Sequence, residues 1–260
     1  MDKTLHILNG DSTAAIFSDS GLSGKTLVWR EMLCEGPLHK NVGSDAFWIK
    51  RYVFFEDTMG VDRLSYFDRS IREILKIEDN DEYNEVVLWF EYDLFCQVNL
   101  LAACSFLLKN YRKDIRYHLV CTGKEKGKKE LQSLSDYPAE SYKDLYKNRI
   151  KLTRNDLLFA QQCWELYADN DQKVLREFDF DQNKKFRYLQ AAIDQHLMRF
   201  PDKNGLDQID RKIIELSKEG TDEGNLVKEL LNWQRKESVY GFGDLQYENK
   251  IKKLKEKGIL

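Results

Sequence analysis

The chain has 260 residues, 42% of them hydrophobic and 33% charged, and a formal net charge of −3. A fold of that length buries roughly 70% of its unfolded surface, so a core forms without disulfide or metal staples, and the composition excludes a disordered chain. The charge excludes an overall pull toward nucleic acid or anionic membrane.

The first element is a short apolar run, Thr4-Leu-His-Ile-Leu-Asn9, that stops at Gly10 and is followed by a helix from Ser12 to near Gly21. This is a strand, a turn and a helix. Lys25-Thr-Leu-Val-Trp29 and Glu85-Val-Val-Leu-Trp-Phe90 repeat the strand signal, each running into charged residues, and Ile115 to Thr122 is a fourth strand ending at Gly123. Between the second and third strands, Ala46 to Lys76 carries apolar residues at helical steps. The third strand leads directly into a helix from Leu94 to Lys109. Strands alternating with helices predict parallel pairing and right-handed crossovers, hence an α/β, Rossmann-like sheet with flanking helices. The turn after the first strand lacks the Gly-x-Gly-x-x-Gly fingerprint, so no nicotinamide or flavin signature is present.

A lysine-rich stretch from Gly123 to Asp136 separates this α/β domain, residues 1–135, from a helical domain, residues 136–260. Helical spacing covers Thr153–Ala168, Phe186–Phe200, Leu206–Lys218, Asn225–Lys236 and Gly243–Lys257, with breaks at Pro201, Gly205, Gly220 and Gly224. Residues 202–260 read as a three-helix or winged-helix-like unit. That unit has 12 basic and 12 acidic residues; phosphate-backbone binding rests on a cationic surplus, so DNA is not its expected partner.

The five cysteines, Cys34, Cys96, Cys104, Cys121 and Cys163, have no Cys-x-x-Cys spacing. They read as buried thiols of a reducing compartment, not as a disulfide framework or a thiolate zinc site. The longest apolar stretch, Leu94–Leu108, is broken by Gln97 and Asn99 and is shorter than the ~20 residues of a membrane span, and no apolar leader is visible. A cytoplasmic protein with no membrane contact is expected.

Polar residues gather where the strands end. Ligands of open parallel sheets bind beyond the carboxyl ends of the strands, where loops diverge and helix N-termini offer free N–H groups. The three motifs at that edge supply Asn9, Asp11, Ser12, Arg30, Glu31, Glu35, Glu91, Asp93 and Gln97. Converging carboxylates raise one another's pKa and commonly hold a divalent cation or a catalytic proton. Asp11, Glu91 and Asp93 are therefore the candidate catalytic and metal-binding residues, for Mg²⁺ or Mn²⁺. Arg30 is the candidate anion grip; Asn9, Ser12 and Gln97 would orient the ligand, with Glu31 and Glu35 in support.

Plainer roles compete. Asp11 or Ser12 would serve as the cap of the first helix and Asp93 as the cap of the helix from Leu94, while Glu31 and Glu35 would pair with Arg30 at the surface. His6, inside a strand, reads as a satisfied core histidine, and Trp29 and Trp89 as core residues, with a wall for a flat ligand as the other option for the tryptophans.

Gly10-Asp11-Ser12 is similar to the nucleophile block of the GDS-type esterases, in which serine attacks an ester. The chain lacks that family's Gly-x-Asn-Asp block, and Asp194-Gln-His196 is one residue shorter than its Asp-x-x-His. Four segments together, Leu5–Ser12, Val28–Pro37, Val87–Gln97 and Phe186–His196, resemble a bacterial family known as domain of unknown function 1835. The last third, Phe200 to Asp244, resembles its companion C-terminal domain. The resemblance spans nearly the whole chain and implies which residues belong together, but no reaction; Asp194-Gln195 stands where that pattern has an arginine.

The expectation is a metal-assisted enzyme, of hydrolase or phosphate-ester type, acting on a phosphate-bearing or other anionic small molecule or nucleotide. The alternative is a non-catalytic regulator whose α/β half senses a ligand and whose helical half contacts DNA or a protein.

Overall fold

A computed structural model describes residues 3–78 and 83–260. The chain begins with β1 (Thr4–Leu8), α1 (Asp11–Ser18) and β2 (Lys25–Val28). Two longer crossovers follow. The first contains α2 (Asp45–Met59), α3 (Arg63–Tyr66), a π-helical turn at Phe67–Ile71 and α4 (Arg72–Leu75), and leads to β3 (Glu85–Phe90). The second is α5 (Leu94–Lys109), leading to β4 (Arg116–Cys121). Then come α6 (Tyr142–Lys147), β5 (Ile150–Leu152), α7 (Arg154–Asp169), α8 (Gln172–Glu177) and α9 (Leu189–Leu197), and finally α10 (Gln208–Lys218), α11 (Glu223–Glu237) and α12 (Asp244–Glu256).

The five strands form one sheet in the order β2-β1-β3-β4-β5; the first four are parallel and β5 runs antiparallel to β4. Every residue of β1 and β3 is buried, as central parallel strands covered on both faces must be. One face presents Ile7, Leu27, Leu88 and Phe90 to the main core, which runs through α5, α7 and α9 into α10, α11 and α12. The other presents Leu8, Val87, Trp89 and Val120 to Phe17 of α1 and to Leu134 and Tyr142. His6 lies on that second face. Its Nδ1 accepts from Trp89 Nε1 at 3.1 Å and its Nε2 donates to the Ser23 carbonyl at 3.2 Å, and burial lowers its pKa to about 4. It is a neutral core histidine.

Helix α5 has almost no exposed face, because the sheet lies on one side and α7 and α9 on the other. That explains why its sequence lacks a polar stripe. Three of its residues are polar and buried, Gln97, Asn99 and Ser105.

Some expectations need correction. The stretch Ala46–Lys76 is not one helix: Gly60 ends α2 in a left-handed conformation (φ 65°), and Asp62 starts α3 by accepting from the Ser65 N–H. The helical half also supplies β5 to the sheet, so the α/β unit does not end at residue 135. Arg149, just before β5, donates to the buried Glu85 carboxylate of β3 at 3.0 Å, and Trp164 of α7 donates to the Lys40 carbonyl at 2.9 Å. Between α11 and α12, residues 238–243 form an extended loop with no strand, so the three-helix unit has no β wing there. No helix among the described residues is long and apolar enough to cross a membrane.

The segment after β2 is fixed by a buried cation. Arg51 of α2 is fully buried; its Nε donates to Glu31 at 3.0 Å, and its terminal nitrogens donate to the carbonyls of Met32, Glu35 and Pro37 at 3.0, 2.7 and 3.2 Å. Tyr66 donates to the other Glu31 oxygen. Removing one partner of such a pair leaves the other charge buried and unpaired. Arg51→Leu should therefore destabilise the fold by about 3–5 kcal/mol in urea denaturation; a loss of less than about 1 kcal/mol, as for an exposed pair, would contradict this account.

Candidate functional site

The connection from β1 leads outward to β2 on one side, while β3 lies on the other side of β1. The sheet therefore reverses direction between β1 and β3, and at such a switch point the two departing loops leave a crevice beyond the strand ends. Asn9–Thr13 follow β1 and Glu91–Asp93 follow β3, and both line one cavity of about 640 Å³. Its far wall comes from Leu231, Asn232 and Arg235 of α11 and from the loop Val239–Gly243.

Two helices begin at this crevice, and their N-termini differ. In α5, Leu94 N–H donates to the Val239 carbonyl at 2.7 Å, Phe95 N–H to the Tyr240 carbonyl at 3.1 Å and Cys96 N–H to Asp93 Oδ1 at 2.8 Å. Its first turn is closed by the protein itself. Helix α1 starts after Gly10, whose φ of 99° is one that glycine adopts without strain, and no side chain caps it. Its first-turn N–H groups are open to the crevice and favour an anion there.

The capping role considered for Asp11 and Ser12 is therefore not the one they fill. Asp11 is the first helical residue, and its carboxylate turns outward to Arg30, whose Nε lies 2.9 and 3.1 Å and whose Nη2 lies 2.8 Å from its oxygens. Arg69 Nη2 approaches the same carboxylate at 3.6 Å. The π-helical turn brings Arg69 here, where its carbonyl accepts from Arg30 Nη1 at 3.0 Å. Two guanidinium groups over one carboxylate leave a net positive charge beside the open N-terminus. Ser12 is exposed and lines the crevice, but no histidine does, so the serine has no neighbouring base of the esterase kind.

Opposite this positive edge lie two carboxyl groups. Oxygens of Glu91 and Asp93 and the sulfur of Cys96 all fall within 4.8 Å of one another. Burial raises the pKa of Glu91, and the Asp93 charge raises it further; burial also raises Asp93, against the pull of its bond from the Cys96 N–H. The pair holds a proton near neutral pH. Leu134 N–H donates to Glu91 at 2.9 Å, and Gly241, at φ 68°, lies so close to the Asp93 carboxylate that a side chain there would overlap it. Asp93 thus caps α5 and faces Glu91 as well. Burial and these carboxylates hold the Cys96 thiol protonated, and its sulfur accepts from Asn9 Nδ2 at 2.8 Å. Asp11 is not in this cluster, so the three-carboxylate metal set expected from the sequence is reduced to Glu91 and Asp93.

The remaining candidates lie around this centre. Asn9 and Gln97 support it: Gln97 donates to the Glu91 carbonyl, and Asn9 accepts from Asn99 at 3.0 Å. Asn99 also donates to the Glu31 carbonyl at 2.6 Å and accepts from the Leu33 N–H at 3.3 Å. Glu31 does not pair with Arg30; Arg51 and Tyr66 occupy it, and it is buried. Glu35 lies elsewhere, paired with Arg199, which lines a separate cavity with Cys34, Pro37, Tyr167, Asn170 and His196. Burial, with the nearby Arg199, lowers the His196 pKa to about 3. Of the four segments that resemble family 1835, Leu5–Ser12 and Val87–Gln97 line the crevice, Val28–Pro37 touches its edge only through the Arg30–Asp11 pair, and Phe186–His196 ends at the second cavity beside Cys34–Pro37.

Arg69, Asn99 and Gly241 were not among the sequence candidates. Asn99 was visible only as a polar break in an apolar run; Arg69 reaches the site through a π turn that no spacing announces.

No family model and no curated protein matches the sequence. Among solved structures, a DNA primase domain from Pseudomonas aeruginosa is similar over 96% of this chain at 10% identity, with a TM-score of 0.31; this chain spans about half, 53%, of that structure.

The shared proton links the site to stability. The unfolded carboxyls titrate near 4, whereas the folded pair keeps a proton well above that. The folded state therefore binds more protons in between, and this contribution to stability is present at low pH and is lost as pH rises from about 5 to about 8. Glu91→Gln, which keeps a neutral group at that position, should flatten this part of the melting-temperature profile and be at least as stable as the parent at pH 8. A parallel profile for the two proteins would mean that the pair carries no such proton.

Proposed function

We propose that the crevice binds a phosphate-bearing or other anionic small molecule and that Glu91 and Asp93 act on it, with a divalent cation such as Mg²⁺ or Mn²⁺ replacing their shared proton. The observation that carries this is the pairing of a helix N-terminus without a side-chain cap with two carboxyls whose oxygens lie within 4.8 Å of one another, across one switch-point crevice. The order β2-β1-β3-β4-β5, with its last strand reversed, resembles the flavodoxin-like order of doubly wound sheets, and this supports a doubly wound reading, in which such a crevice is the usual ligand site.

The first-turn N–H groups of α1 and the Arg30–Arg69 edge would hold the anion. Asp93, fixed by Cys96 N–H, and Glu91, fixed by Leu134 N–H, would face the group that reacts. A bound cation would polarise a phosphoryl oxygen and supply a water of lowered pKa. On this reading the chain is a member of the family of domain of unknown function 1835, two of whose resembling segments line the crevice while a third reaches its edge through Arg30. Five free thiols suit the cytoplasm.

A regulator touching DNA through its C-terminal helices has less support. Asn232 and Arg235 of α11 line the crevice, Arg235 pairs with Asp136, and Gln234 bonds both the Phe242 backbone and Tyr247. These polar residues of α11 serve the protein's own structure.

Thermal unfolding at pH 8 tests the proposal. Mn²⁺ or Mg²⁺ should raise the melting temperature, and pyrophosphate should raise it further, by the amount expected when binding adds about 2.7 kcal/mol at a hundredfold excess over Kd. Glu91→Ala should abolish the metal response, and metal affinity in the parent should fall as pH drops and the proton returns. A protein whose melting temperature ignores every divalent cation and pyrophosphate would sink the proposal.

A further inference from the structure

We propose that the ligand is a nucleoside phosphate whose base lies in an apolar pocket beside Trp29; this rests on the anion site proposed above and specifies what the anion is attached to. A second cavity, of about 440 Å³, adjoins the crevice and shares Gly10, Asp11, Phe95, Gly241 and Gly243 with it. The two differ in chemistry. The crevice carries the carboxyls and the open helix end; the adjoining cavity is walled by Trp29, Met32, Phe55, Met59, Val61 and Phe95. A ligand spanning both has one charged end and one apolar end.

Three observations point to a flat, hydrogen-bonding ring at the apolar end. Aromatic side chains from separate elements, Trp29 after β2, Phe55 of α2 and Phe95 of α5, stand in one wall, a lining suited to ring faces. Trp29 is buried, yet its indole N–H has no acceptor in the protein. Trp89, inside β3 on the opposite face of the sheet, donates to His6. A buried donor without a partner costs about 1–3 kcal/mol; because the Trp29 nitrogen has almost no accessible surface in the free protein, a ring nitrogen or carbonyl of a base would reach it with a shift of the indole, whereas an acyl or prenyl chain offers no acceptor.

The join between the cavities has the charge a phosphate ester needs. Arg30 and Arg69 both line the apolar cavity and flank Asp11, at the N-terminus of α1. With the base beside Trp29, the phosphates lie past the arginines at the open N–H groups, and the terminal one faces Glu91 and Asp93. Specificity between bases would come from the Trp29 donor, which favours a base with an acceptor on the edge facing it.

Binding measured by calorimetry in Mg²⁺ buffer, with ADP, GDP, CDP, UDP and pyrophosphate as probes, tests this. At least one nucleoside diphosphate should bind ten times or more tighter than pyrophosphate. Trp29→Phe should weaken that nucleotide about fivefold and leave pyrophosphate unchanged. Leu245→Trp, at an exposed residue lining the same cavity, should fill the pocket and remove the nucleotide's advantage even if the Trp29 variant folds poorly. Equal affinity for pyrophosphate and all four nucleotides, insensitive to both variants, would overturn the base pocket while leaving the anion site standing. Binding of neither probe would overturn both readings.

Discussion

The arrangement depends on one buried amide. Asn99 sits in the middle of α5, out of water, and joins it to two segments remote in sequence: the end of β1 through Asn9, and the segment after β2 through the Glu31 carbonyl and the Leu33 N–H. Each of those polar groups lies in a low-dielectric interior, where an unmet hydrogen bond is costly. A hydrocarbon side chain in its place would leave all three without partners at once. Asn9 passes the constraint on, holding the Cys96 sulfur beside the two carboxyls. The register between the two halves of the crevice is thus set inside the protein, behind the residues a ligand would touch.

Around that anchor, charge is divided with little waste. The 31–37 segment is held by the wholly buried Arg51 and by Arg199, both donating mainly to backbone carbonyls and glutamates. Arg30 and Arg69 remain near the surface, sharing one exposed aspartate. Of the two helix N-termini, one is sealed by backbone carbonyls and the other is open. The field in the crevice therefore runs from a positive edge at α1 to a proton-sharing pair at β3, and a ligand with separated charge and hydrogen-bonding ends fits it in one orientation.

Much of the fold was legible in the sequence, and the reasons are physical. The central strands β1 and β3 and the helix α5 are largely apolar runs bounded by charge or glycine, the signature of elements buried on both sides. The three-residue β5 was not legible, because Ile150-Lys-Leu152 is too short to show alternation and is held by pairing to β4. Its neighbour α8 was likewise too brief to display a period. At the site, strand ends placed Asp11, Glu91 and Asp93 at one edge, but partner choice is a matter of angstroms in three dimensions. Asp11 turned to arginines, and Glu31 and Glu35 to Arg51 and Arg199, residues 20 and 164 positions away. Trp29 and Trp89 looked equivalent as sequence, but Trp89 is level with Val28 in the sheet and faces His6, whereas Trp29 faces the other side.

The loop from Val239 to Gly243 has a consequence for how the protein comes into being. It closes the first turn of α5 and presses Gly241 against Asp93, so the crevice has this wall only after residue 243 has been synthesised. A chain made as far as β4 lacks it, although both strand ends that open the crevice are already present. Assembly of the proposed site is in this way separated in time from assembly of the sheet that carries it.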